Sequence, residues 1–169
     1  MIETWHVRDA LRSRLGSALT EETDIADRCA EALRSWASYK ESFGELAARL
    51  EDLLFNGLYD ALGPSMSARM DSGELRRIRT AELKDAADDV LGVLFDSLRV
   101  YSVHYDALRE YAITSGSCAA MRTLYTRYGS LLSAEDRAVL ARILRDRLRP
   151  EVWQAVSRQA EEARKNSDG

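Results

Sequence analysis

Few residues in this 169-residue chain have the type and spacing to do chemistry. There are two histidines, His6 and His104, and two cysteines, Cys29 and Cys118. His104 has Arg99 five positions before it. His6 follows Glu3 in an ExxH spacing, two of the six ligands of a carboxylate-bridged di-metal bundle. Arg142, Arg145 and Arg149 recur at i, i+3 and i+7, a row that suits phosphates or an acidic partner. No Gly-rich phosphate loop, HExxH, GxSxG or EF-hand loop occurs, which removes the enzyme classes easiest to read.

The metal reading is weak on counting alone. A second ExxH is missing, because Tyr101 stands three before His104, and the inward-facing stripes contain no glutamate. No metal and no cofactor is therefore expected. The cysteines show no CxxC or Cys/His spacing and read as small buried hydrophobes.

The stretch Arg99-Val-Tyr-Ser-Val-His104 resembles the Arg-x4-6-His motif of the HEPN superfamily. That resemblance implies a small all-α protein that cleaves RNA without a metal on dimerisation, with Arg99 and His104 acting on the scissile phosphate. On a straight helix two residues five apart point about 140° from one another, so only two chains together would assemble such a site.

From Ser117 to Arg149 there are seven basic residues against three acidic, and Arg137 and Arg147 flank the arginine row. Asp136, Asp146 and Glu135 are interleaved, so a solvated helix face is favoured over a nucleic-acid groove. Arg76, Arg77 and Arg79 form a second group. Tyr101, Tyr105, Tyr111, Tyr125, Tyr128 and Trp153 concentrate aromatic rings in the second half, as expected of rings that pack while their hydroxyls reach water.

The elements that must position these residues are helical throughout. Leu83, Ala87, Leu91, Leu94, Leu98, Tyr101, Tyr105, Leu108 and Ala112 step at about 3.6 residues, with a second stripe through Val93, Val100, Ala107 and Tyr111. That pattern predicts a central helix at about 80–113, capped by Thr80 and ending near Thr114-Ser115-Gly116. A helix over 2–15 turns Ile2, Trp5, Leu11 and Leu15 inward. A periodic run from Ile25 to Leu62, opened by Thr20, predicts one long helix with a kink or break at Gly44 or Asn56-Gly57.

Gly63-Pro64-Ser65-Met66-Ser67 reads as the clearest loop, with a short helical turn around Glu74–Arg79. Ser117 caps a shorter helix carrying Met121, Leu124, Tyr125, Tyr128 and Leu131. Ser133 caps the next, with Val139, Leu140, Ile143, Leu144 and Leu148 inward, and Pro150 opens the last. Residues 165–169 read as a disordered tail.

Composition bounds the rest. The hydrophobic fraction is 46%, and Gly and Pro number nine and two, which suits a globular helical chain and not a β-rich one. The formal net charge of −4 gives no overall reason to expect nucleic acid or membrane, and the 21 arginines against three lysines read as codon usage. No window approaches a membrane span and the N-terminus is not a signal peptide, so a cytoplasmic protein is expected.

The sequence thus predicts an all-α, single-domain bundle of five to seven helices over residues 1–164. Its favoured function is a non-catalytic helical interaction or assembly protein, binding a second copy or a protein partner. The alternatives are the HEPN-like ribonuclease and a nucleic-acid-backbone-binding subunit using Arg142, Arg145 and Arg149.

Overall fold

A computed structural model describes residues 2–15, 24–36, 42–70, 73–98 and 102–168, with side chains described except at 15, 58–80, 102–103 and 167–168. Among the described residues there are eight helices and no strand, against the five to seven helices expected. In chain order they are α1 (Thr4–Leu15), α2 (Ile25–Trp36), α3 (Phe43–Met70), α4 (Gly73–Ser97), α5 (Ser102–Ser115), α6 (Cys118–Arg127), α7 (Ala134–Arg147) and α8 (Pro150–Asp168). The fold is all-α, as the periodicity predicts. The chain divides into two compact units, Met1–Ser97 and Leu98–Gly169.

The helix expected at about 80–113 is two helices. α4 ends at Ser97 and α5 begins at Ser102, with Leu98 in a bend. The Ser97 hydroxyl donates to the Leu94 carbonyl at 2.7 Å, and the Leu98 carbonyl accepts from the Arg127 guanidinium. A side chain from α6 thus takes a carbonyl that would otherwise serve the helical ladder. Periodicity could not show this, because two helices in phase carry the same stripe as one.

In the first unit α4 is the hub, packing on α1, α2 and α3. Its stripe Leu83, Ala87, Val90, Leu91, Leu94 and Phe95 is buried. α1 contributes Val7 and Leu11, while Trp5, expected inward, is 57% exposed and stacks on His6. The reason is register: Trp5 is two positions from Val7, about 200° around the helix.

α2 buries Ile25, Cys29 and Leu33, and α3 buries Phe43, Leu46, Leu50 and Leu54. Trp36, Phe43 and Phe95 form a ring cluster, stacked at 4.9 Å and edge-on at 5.2 Å.

The long run from 25 to 62 breaks before Gly44, not at Asn56-Gly57. Ser42 starts α3 with a reciprocal cap: the Glu45 amide donates to Ser42 Oγ at 3.2 Å and the Ser42 amide to Glu45 Oε2 at 2.9 Å. Asn56-Gly57 stays helical because Gly57 is needed there. A Cβ at Gly57 would lie 2.1 Å from Ile25 Cδ1, so the missing side chain lets α2 approach α3.

α3 also runs through Gly63-Pro64-Ser65-Met66-Ser67, the expected loop, and α4 runs through Glu74–Arg79 and the expected cap Thr80. Breaker signals of this kind are weak priors, and the helix that reaches Gly63 from Phe43 carries on through them. Thr20 lies outside the described residues.

The second unit is organised on α6, which packs on α5, α7 and α8, while α7 also packs on α8. Ala120, Met121, Leu124 and Tyr128 are buried here, with Leu108 and Ala112 from α5 and Val156 and Ala160 from α8. The expected caps hold: Ser117 Oγ accepts from the Ala120 amide at 3.1 Å and Ser133 Oγ from the Asp136 amide at 3.0 Å. Gly116, with φ +67°, makes the turn after α5 in a region that favours glycine. α8 begins at Pro150 and runs on to Asp168 through the expected disordered tail, carried by good helix formers such as Glu161, Glu162, Arg164 and Lys165.

Candidate functional site

The expected catalytic pair is not brought together by described geometry. His104 sits half-buried in the first turns of α5, and Arg99 lies outside the described residues. The ExxH of the N-terminus has a structural use. The Glu3 backbone amide donates to His6 Nδ1 at 3.3 Å, so the imidazole caps the start of α1, with its ring 3.6 Å from that of Trp5. Among the described residues no group of three or more His, Cys, Asp or Glu side chains is placed to hold a metal ion. Cys29 is buried and Cys118 half-buried, and burial pushes the Cys29 thiol up to about 12.

The titratable groups with shifted values lie in the first unit and read as structural. Arg14 of α1 reaches Asp89 at 2.7 Å and Asp85 at 3.4 Å on α4. Partial burial raises the Asp89 carboxyl from its ordinary value despite that arginine. The hydrogen bond from Arg14 to Asp89 raises the guanidinium in turn. Glu51 of α3 is also raised by burial. This pair fastens α1 to α4.

Seven arginines of the second unit fall into two sets. Arg127 donates to the Leu98 carbonyl, Arg137 to that of Gly129 and Arg147 to that of Gly116, while Arg109 pairs with Asp136 at 3.4 Å. Those four hold turns and neighbouring helices in place. Arg142, Arg145 and Arg149 are exposed, and their side chains make no hydrogen bond or ion pair among the described residues. The expected row is shorter than its spacing implied, because α7 ends at Arg147 and the Leu148 cap is extended at ψ 152°. Arg142 and Arg145 share the helix face and Arg149 leaves it. Side chains of Arg76, Arg77 and Arg79 lie outside those described.

Charge is uneven along the chain. Met1–Ser97 carries nineteen acidic residues against twelve basic, and Leu98–Gly169 twelve basic against nine acidic, so the acidic whole hides a basic second unit.

α7 carries the feature that spacing alone could not reveal. Of its 14 residues only Leu144 is buried. Leu140 and Ile143 are half-buried and Val139 is 41% exposed, although all three were expected inward. Leu131, just before the helix, is 47% exposed, and Ile113 of α5 is 66% exposed. The apolar stripe is visible in the sequence, but how much of it neighbouring helices cover is not.

No described helix is long and apolar enough to cross a membrane. No protein-family model, curated protein or solved structure matches this chain.

Proposed function

We propose that this chain is a non-catalytic helical assembly protein that associates through α7. The observation that carries the reading is the poor covering of that helix: one buried residue in fourteen, with Val139 in the open beside unpaired arginines. Apolar surface left in water is a source of association free energy, about 25 cal/mol per Å² covered. Unpaired cations beside it select a partner by charge more than they add affinity. Sedimentation of the full chain over a range of concentrations tests the reading. The expected result is a mass that rises with concentration and a Val139→Glu variant that stays smaller. A wild-type chain that remains a monomer throughout would sink self-association.

The exposed Arg142, Arg145 and Arg149 in a basic unit also support a second reading, contact with nucleic-acid phosphates. Binding to a labelled RNA would then weaken steeply with salt, since each neutralised phosphate releases counterions. Binding indifferent to salt, or unchanged in an Arg142→Ala/Arg145→Ala variant, would remove it.

A further inference from the structure

Resting on the assembly reading, we infer that the occupant of α7 is the α7 of a second copy, lying antiparallel across a two-fold axis between Ala138 and Val139. The face opposite buried Leu144 holds Glu135, Ala138, Val139 and Arg142, all exposed and, at 100° per residue, within a face about 100° wide. Its order along the helix is acidic, apolar, apolar, basic. Glu135 and Arg142 each stand three and a half residues from the midpoint of Ala138 and Val139, about 5 Å along the axis.

Turning a second copy of this face through a two-fold places each Glu135 against the other copy's Arg142. Ala138 meets Val139 at the centre. One face therefore supplies both halves of two charge pairs and the apolar contact between them, the self-complementarity that an isologous interface requires. Neither Glu135 nor Arg142 makes an ion pair or hydrogen bond within the described chain, so both are available. The small Ala138 side chain permits close approach at the axis. A parallel arrangement would instead set Glu135 beside Glu135 and Arg142 beside Arg142. Asp146, four residues beyond Arg142 on the same face, lies past the start of the other copy's α7 at Ala134 and so faces none of its helical residues.

Charge reversal with rescue is the test, read by sedimentation of the full chain at low ionic strength. Glu135→Arg alone and Arg142→Glu alone should each raise the dissociation constant at least about tenfold, because both create like-charge contacts across the axis. The double variant E135R/R142E should return it to near the wild-type value, since both partners of each pair are exchanged together. Circular dichroism confirms that each variant keeps its helix content, and Val139→Ala gives a milder loss from a variant that leaves the charges alone. If wild type is monomeric, this inference and the self-association reading fail together. If Val139→Glu weakens association but neither reversal matters, the two-fold pairing is wrong and the reading of α7 as the interface stands. If each single reversal weakens association and the double does not recover it, the two-fold pairing is overturned.

Discussion

Gly57 should be replaceable by alanine only if Ile25 gives way. In the interior of α3 an alanine is worth about 1 kcal/mol over glycine through backbone entropy. Here the added Cβ would stand 2.1 Å from Ile25 Cδ1, 3.0 Å from Cγ1 and 3.4 Å from Cβ. The first distance is impossible and the second tight. Cδ1 is the tip of a side chain, so rotation can withdraw it, but Ile25 is 1% exposed and the space around it is filled. Overpacking of this kind costs about 1–3 kcal/mol. Gly57→Ala in the wild-type background should therefore destabilise the first unit by about 1 kcal/mol net.

Ile25→Ala removes Cδ1 and Cγ1 and leaves only the ordinary 3.4 Å contact. That variant alone should cost about 2–5 kcal/mol through the cavity it opens. In its background Gly57→Ala should become stabilising by about 1 kcal/mol, a coupling of about 2 kcal/mol between the sites. Urea unfolding followed by far-ultraviolet circular dichroism measures all four members of the cycle. A Gly57→Ala effect equal in the two backgrounds would show that α2 does not approach α3 at this glycine.

Two other perturbations test the first unit. Ser42→Ala removes the hydroxyl of the cap that opens α3 and should lower stability by about 1 kcal/mol, read as a lower urea midpoint; an unchanged midpoint would mean that the cap does not hold the helix start. Asp89 has a folded carboxyl raised by burial, so the fold holds a proton that the unfolded chain has released. Its contribution is therefore fully present below the ordinary aspartate value of about 3.9 and is lost as pH rises through the folded value. The difference in unfolding free energy between wild type and Asp89→Asn should fall with rising pH across that window, and a difference that rises would reverse the sign of the argument.

The sequence by itself determined the helical class, the inward stripe of α4 and several helix ends. These are local matters. A 3.6-residue period, Ser117 and Ser133 ahead of their helices, Gly116 behind α5 and Pro150 in a first turn each act through the few residues around them. The Ser42–Glu45 cap was equally legible as an S-x-x-E spacing, although a continuous apolar stripe masked it.

Only the tertiary structure decided where the stripes stop being one helix and how fully they are covered. Arg127 holds the carbonyl at Leu98, so the helix expected at 80–113 divides, and each unit takes its own centre, α4 in the first and α6 in the second. Arg137 and Arg147 looked like members of a basic surface and are committed to backbone carbonyls instead. Val139 and Leu144 carry the same signal in the sequence, yet one is 41% exposed and the other buried. Spacing fixes the face of a helix on which a side chain stands. Whether another helix lies against that face depends on contacts between residues far apart in the chain, and no local pattern encodes them.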